Sequence, residues 1–211
     1  MTFLGSSRDS VCRAHVDDPD ATAILAGSLR SMISRDLPDA PRRPLVFFCI
    51  GTDRSTGDSL GPLTGSRLIS LGIDGCRVWG TLDNPVHAAN LQTAIDRVLS
   101  MFRNPYIVAV DACLGRLENV GTITASRGPL RPGTGVSKNL PQVGHAHVTG
   151  IVNVGGYMEY MVLQNTRLCL VMRMADIIGT ALASAARDFM DAWVGSETSQ
   201  RVAAARWDQR T

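Results

Sequence analysis

Apolar and polar positions along this chain follow the two periods typical of strands and helices. Apolar runs bounded by turn residues predict strands at residues 45–50, 76–80, 106–110, 121–126 and 168–172. Helical spacing of apolar residues predicts helices at residues 18–34, 60–71, 88–102, 157–164 and 174–193, with an apolar segment at 148–154 leading into the fourth. This alternation predicts an α/β fold with a mostly parallel sheet and right-handed crossovers.

Prolines and glycines mark the breaks between these elements. Three prolines in residues 37–44 end the first helix, because proline lacks the amide donor that a helix needs. Residues 127–144 are rich in glycine and proline, which predicts a long surface loop. We expect an N-terminal extension with a helix at 1–43, one α/β domain at 44–193 and a polar C-terminal tail at 194–211.

Composition narrows the class of protein. The 21 basic and 19 acidic residues give a net charge of +2, too balanced for a general nucleic-acid binder. The N-terminus has no signal-like apolar region and no stretch reaches about 18 apolar residues, so we expect a cytoplasmic protein without a membrane partner. Five cysteines without CxxC spacing favour buried thiols in a reducing compartment over disulfides or zinc.

Two aspartates follow predicted strands at the edge where parallel sheets bind ligands. Asp58 lies in the loop after residues 45–50, and Asp111 directly follows residues 106–110. Capping of the next helix explains Asp58 equally well. Asp111 directly follows an apolar run, and a carboxylate in such surroundings is costly to bury. This favours a functional role for Asp111 over a structural one. Such a pair can share a proton and activate water, or bind a divalent metal.

Other polar residues give weaker signals. Asp53 suits an ordinary solvated turn. His145 and His147 are spaced to share one face of an extended segment, as in metal sites and equally in edge strands, and His87 reads as a cap-region residue. Polar residues within an apolar segment suggest another wall of the crevice, with a light preference for Glu159; they are Asn153, Gly155, Gly156, Glu159 and Asn165.

Four segments carry a family resemblance. CIGTDRSTGDSLGP, AVDACLG, GIVNVGGYMEY and VLQNTRL resemble the YyaC-type sporulation proteins, a family similar to the spore germination protease, and the likeness runs from Pro44 to Phe189. GDSLGP and VDA also resemble motifs of the germination protease and of hydrogenase maturation endopeptidases. The resemblance implies a three-layer α/β/α sandwich, phosphorylase/hydrolase-like, in which Asp58 and Asp111 match the acidic residues of the two motifs.

The resemblance leads to three hypotheses. The first is a sporulation-associated endopeptidase that hydrolyses a small protein substrate with Asp58 and Asp111 as its catalytic pair and without a cofactor. The second is a catalytically silent interaction or regulatory protein. The third is a metal-dependent maturation-type peptidase, in which Asp58, Asp111 and His145 bind nickel or zinc as the related acids and a later histidine do in hydrogenase peptidases.

Overall fold

The computed structural model describes residues 11–37, 43–133 and 140–208, with side chains described as far as residue 190. The strands are β1 (Cys12–His15), β2 (Leu45–Cys49), β3 (Cys76–Trp79), β4 (Tyr106–Gly115), β5 (Thr122–Arg127) and β6 (Ala146–Val154). The helices are α1 (Ala21–Asp36), α2 (Leu60–Ser70), α3 (Leu91–Met101), α4 (Glu159–Gln164) and α5 (Leu168–Asp208). Short 3₁₀ turns lie at Gly57–Ser59 and Leu117–Asn119.

All the described strands belong to one mixed sheet, in the order β1-β5-β6-β4-β2-β3. β3, β2, β4 and β6 are parallel neighbours, whereas β5 and β1 add an antiparallel edge. Parallel neighbouring strands need crossover connections, and such connections are expected for repeated βαβ units. The carboxyl ends of β2, β4 and β6 therefore meet at one edge of the sheet.

Two hydrophobic cores place the sheet between two helical layers. Alternate residues such as Phe47, Val108 and Val148 pack with α1, α2 and α5 on one face. Residues of opposite parity such as Phe48 and Ala109 pack with α3 on the other face. The predicted α/β class, with three layers and a mostly parallel sheet, is confirmed.

One predicted strand is wrong. Residues 168–172 begin α5 rather than forming a strand. The buried positions Val171, Met174, Ala175 and Ile178 are spaced three and four apart, which is helical spacing. A run of five apolar residues cannot separate a strand from a buried helical turn, and no glycine or proline interrupts the chain before the helix predicted at 174–193.

The described part of the N-terminal segment is built into the domain. β1, which the pattern did not predict, pairs with β5, and Leu25 and Leu29 of α1 are buried in the core shared with α5. Residues 11–37 of the predicted extension, which includes the predicted helix, therefore pack as part of the same domain. Several ranges lie outside the described residues: 1–10, 38–42, 134–139 of the predicted loop, and 209–211. The prediction that the N-terminus has no signal-like apolar region falls largely on the first of these ranges.

The long helix α5 corrects the expectation that no stretch is long and apolar enough for a membrane span. Leu168–Met190 has the necessary length and a mean hydropathy of 1.6, but half of the apolar window is buried inside the domain. Packing against α1 and α2 explains this composition, since a helix that lies beneath two others needs apolar side chains on most of its surface. The helix continues to Asp208, through most of the predicted polar tail.

Candidate active site

The loop after β2 folds back onto the end of its own strand. The backbone amides of Ile50 and Gly51 donate to the carbonyl oxygens of Val110 and Val86, each at 2.7 Å, so residues from three chain segments are tied together here. Gly51 has φ +144°, and a Cβ at this position would lie 1.9 Å from the Asp58 carbonyl oxygen. Glycine is required because the turn carrying Asp58 packs directly over the strand end.

Asp111 lies where β4 extends beyond β2. Val110 pairs with Cys49, the last residue of β2, and Asp111 then pairs with Thr149 of β6. Its side chain shares the parity of Ile107 and Ala109, so it points to the α3 side of the sheet. The residue is 8% exposed, and its Oδ1 accepts a hydrogen bond from the Ala112 amide at 2.9 Å.

Asp58 reaches the same place from the 3₁₀ turn Gly57–Ser59. Burial raises the pKa of its carboxyl group, against the opposing effects of the Thr52 amide and of His87 when charged. Burial also raises the pKa of Asp111 well above its usual value, and the negative charge of Asp58 raises it further. The structure therefore brings the two acids into one electrostatic unit, in which Asp111 holds a proton more firmly than Asp58.

Cys113 and Thr149 border Asp111. The Cys113 thiol interacts with Thr149, while burial and the charge of Asp111 raise its pKa to about 11. A thiol with that pKa is almost fully protonated at neutral pH, and the thiolate is the nucleophilic form. Cys113 is therefore a neutral neighbour of the acids rather than a nucleophile.

Helix α4 forms a wall over the turn that carries Asp58. A Cβ on Gly57 would lie 2.8 Å from Leu163 Cδ2 and from Thr166 Oγ1, so the turn and the helix are in close contact. Asn153 donates from Nδ2 to the Val162 carbonyl and to Thr166 Oγ1, both at 3.2 Å. Glu159 accepts from the Gly156 amide at 3.2 Å, so its contact is with the turn before α4.

His145 lies at the opposite edge of the sheet, which corrects the metal set Asp58, Asp111 and His145. Its ring stacks on Tyr106 with centroids 5.0 Å apart, and Nδ1 accepts from the Ile107 amide at 3.1 Å. Asp111 lies four positions after Ile107 in β4, about 13 Å along the strand. Because β6 runs parallel to β4, the residue before β6 must lie at the amino-terminal edge.

The remaining sequence candidates do not join the acids either. His147 Nδ1 bonds to the Gly128 carbonyl at 2.9 Å, and Asp53 is exposed, as expected for a solvated turn. Among side chains of the described residues, no group of three or more His, Cys, Asp or Glu is arranged to hold a metal ion. Of the candidates among the described residues, Asp58 and Asp111 are therefore the pair that could act together in chemistry.

His87 lies just before α3, as expected of a cap-region residue, but the sequence analysis did not predict that it lies near Asp58. Val86 pairs with Ile50 as an isolated parallel bridge, which places His87 beside Gly51 and the turn that packs over it. Its positive form lowers the pKa of Asp58, which shows that the two side chains are electrostatic neighbours. The signal in the sequence was its position between a strand and a helix, at the carboxyl edge of a βαβ unit.

Sequence comparisons with known proteins agree on a family. A sequence family described as "Protein of unknown function (DUF1256)" matches residues 13–181. The chain is 49% identical over 180 residues to "Uncharacterized protein YyaC" of Bacillus subtilis (strain 168), an alignment covering 85% of this chain and 86% of that protein. A crystal structure of the NiFe hydrogenase maturation protease HycI from Thermococcus kodakarensis KOD1 superposes with a TM-score of 0.47 at 15% identity, covering 74% of this chain and 99% of that one.

Proposed function

This chain belongs to the DUF1256 family, and we propose that it is an endopeptidase that hydrolyses a small protein substrate with the carboxyl pair Asp58 and Asp111. The observation that carries the proposal is the placement of Asp111 of β4 and Asp58 of the turn after β2 at one edge of the sheet, where the charge of Asp58 raises the pKa of the buried Asp111. Burying two like charges is costly for stability, and the cost is expected at a site where the acids have a chemical role.

The difference between the two environments assigns the roles. Asp111 is the more buried acid and stays protonated to higher pH, so it acts as the acid. Asp58 is half-buried, and the Thr52 amide favours its ionised form, so it acts as the base. A pair of titratable groups whose pKa values are pushed apart is the arrangement that general acid–base catalysis needs.

The proposed reaction proceeds through a tetrahedral intermediate. Asp58 accepts a proton from water as the water oxygen bonds to the peptide carbonyl carbon, and Asp111 gives its proton to the carbonyl oxygen. The C–N bond then breaks as Asp58 passes its proton to the leaving amine, and Asp111 recovers a proton from a hydroxyl of the intermediate. Atoms balance as peptide plus water giving a carboxylic acid and an amine, and both acids return to their initial states.

The biological setting belongs to the proposal as well. The resemblance to YyaC-type sporulation proteins and to the germination protease supports a small protein substrate present in sporulating cells, and an activity in the cytoplasm. The carboxyl pair needs no cofactor for this chemistry. The alternative, in which the crevice only binds a partner without hydrolysis, predicts that no new peptide termini form.

Replacing Asp111 with asparagine tests the function. Asp111→Asn keeps the shape of the side chain but removes the proton that the carbonyl oxygen receives, so cleavage should fall at least about 100-fold. Small proteins extracted from Bacillus subtilis spores would be incubated with purified protein, and new termini would be identified by mass spectrometry. Asp58→Asn should have the same effect.

The matched control is Asp53→Asn, an exposed acid in the same loop, which should cleave like the wild type. Circular dichroism would confirm that each variant is folded. Undiminished cleavage by folded Asp111→Asn would remove the carboxyl pair from the mechanism. If the wild-type protein cleaves no component of the extract but retains one on a column, the binding-only alternative holds instead.

A further inference from the structure

A cavity lies beside the acid pair, on the α3 side of the sheet. Its volume is about 670 Å³, within the range of ligand pockets. The walls come from the end of β3, the segment 80–87 and the first two turns of α3. No residue of the proposed acid pair lines it, so the cavity is a separate feature of the same edge.

Two contacts tie the cavity to the end of β2, beside the acids. Gly80, which lines it, packs so closely on β2 that a Cβ would lie 1.8 Å from the Cys49 carbonyl oxygen. Val86, also in the lining, accepts the hydrogen bond from Gly51. Val86 pairs with Ile50, the residue after β2, and Asp111 follows the β4 residue that pairs with Cys49, so the two lie about 10 Å apart across two strand spacings. An extended peptide covers that distance in about three residues.

The walls of the cavity are preformed. Trp79 is fixed by an edge-to-face contact with Phe102, with ring centroids 6.4 Å apart. Asn90 donates from Nδ2 to the Pro85 carbonyl at 3.0 Å and accepts from the His87 amide at 2.8 Å. The Leu82 amide donates to Ser66 Oγ of α2 at 3.0 Å. These bonds hold the segment between β3 and α3 in place without a ligand.

The lining selects for an apolar group. Val78, Trp79, Val86 and Ala94 supply apolar surface, whereas the fixed charges Asp83 and Arg97 are of opposite sign. A cavity with one charge of each sign has no net preference for an anion or a cation. Burial of apolar surface is then the main source of binding free energy.

His87 stands between the cavity and Asp58. Its Nδ1 accepts from the Ala89 amide at 3.3 Å, so the neutral ring carries its proton on Nε2. That N–H is a donor suited to a peptide carbonyl. The cavity therefore combines an apolar recess with a polar group at the side facing the acids, as peptide side-chain pockets require.

We propose that this cavity binds one apolar side chain of the substrate, within about three residues of the cleaved bond, and that His87 positions the adjoining peptide carbonyl. The inference rests on the proposed peptidase function for its biological meaning. The existence and preference of the pocket are nevertheless measurable by binding alone.

The test uses N-acetyl-L-phenylalaninamide as the apolar probe and N-acetyl-L-aspartamide and N-acetyl-L-lysinamide as charged probes. Binding to the full-length protein would be followed by nuclear magnetic resonance, from shifts of the Trp79 indole and His87 imidazole signals. The apolar probe should shift these signals and bind at least tenfold more tightly than either charged probe. It should also inhibit cleavage of the spore extract competitively.

Thr93→Phe tests the location, because Thr93 is an exposed residue of α3 that lines the cavity, and a phenylalanine there would fill it. Binding of the apolar probe should weaken at least tenfold. Ser100→Phe, on the same helix but outside the lining, should bind like the wild type. His87→Gln provides a second variant with little effect on packing and should weaken both binding and cleavage severalfold.

The outcomes of the two proposals are separable. Equal binding of the apolar probe by Thr93→Phe, or tighter binding of a charged probe, would overturn the pocket even if cleavage depends on Asp111. Selective probe binding that Thr93→Phe abolishes would support the pocket even if no cleavage is found, in which case the peptidase proposal alone would fail.

Discussion

At the scale of single residues, the acid pair shows how two identical side chains acquire different pKa values from their surroundings. Asp58 and Asp111 are both raised in pKa by burial, but only Asp111 is also raised by its partner's charge. Asp111 is held inside β4 and pairs with Thr149 of β6, whereas Asp58 comes from the turn Gly57–Ser59 and is only half-buried. The acid that the sheet encloses is the one that keeps its proton.

This difference predicts a pH-dependent effect of Asp111→Asn on stability. The pKa of Asp111 is raised in the folded state. The contribution of this group to the free energy of unfolding is therefore complete below its unfolded-state pKa, near 3.8, and is lost as the pH rises through its folded-state pKa. Between these two pKa values, the free energy of unfolding of the wild type should fall by about 1.4 kcal/mol per pH unit. The Asp111→Asn variant should not show this fall, because asparagine does not titrate. Asp111→Asn should therefore stabilise the protein increasingly above pH 4.

Urea unfolding of both proteins at several pH values between 4 and 8 would measure this effect. Asp53→Asn is the control, because the exposed Asp53 has no buried charge to remove. A stability difference between wild type and Asp111→Asn that is independent of pH would mean that Asp111 is not held protonated by its surroundings.

At the scale of elements, the site depends on how α4 meets the turn Gly57–Ser59. Gly57 has no side chain, and α4 fills the space that one would occupy. Asn153 links the end of β6 to Val162 of the same helix and to Thr166 just after it. The position of Asp58 is thus fixed by a contact between an element early in the chain and one late in it.

Gly57→Ala should disturb this contact. The added methyl group would meet Leu163 and Thr166 at about 2.8 Å, so α4 must move or the turn must shift. We expect a loss of about 1–3 kcal/mol in the free energy of unfolding and a larger proportional loss of cleavage, because Asp58 moves with the turn. Thermal unfolding and the cleavage assay would measure the two effects.

Gly27→Ala is the matched control, since Gly27 lies within α1 and a methyl group added there would have nothing within 4 Å. Alanine should stabilise the helix there by about 0.5–1 kcal/mol and leave cleavage unchanged. If Gly57→Ala behaved like Gly27→Ala, the contact between the turn and α4 would have no role in holding Asp58.

At the scale of the whole molecule, the described residues before position 44 complete the domain. α1 packs along α5, and β1 extends the antiparallel edge of the sheet. Arg30 of α1 also pairs with Asp188 of α5 at 2.8 Å, an exposed ion pair that adds little to stability. The apolar face that α1 shares with α5 is therefore the main stabilising contact between these two helices.

Leu29→Ala should therefore destabilise the whole domain. Leu29 is 1% exposed in the shared core, so its truncation should cost about 2–5 kcal/mol and lower the unfolding temperature of the sheet and helices together. Ile24→Ala, in the same helix but 41% exposed, should cost less than about 1 kcal/mol. Separate unfolding of α1 in Leu29→Ala, with an unchanged main transition, would contradict this view of a single domain.

The sequence by itself determined the alternation of strands and helices and the two acids at strand ends. The buried run Leu45–Cys49 and the run before Asp111 are local patterns, because a strand covered on both faces is apolar at every position. The carboxyl ends of parallel strands lie at one edge by topology, so the pairing of Asp58 with Asp111 follows from the order of elements along the chain.

Tertiary structure decided the rest, because these features depend on contacts between distant segments. β1 forms by pairing with β5, and the run at 168–172 becomes helical because its buried positions pack within a layer of helices. His145 lies at the amino-terminal edge because β6 runs parallel to β4, and His87 approaches Asp58 because Val86 pairs with Ile50. A side chain's type and spacing indicate what it can do, whereas the partner it meets is set by strand order and direction.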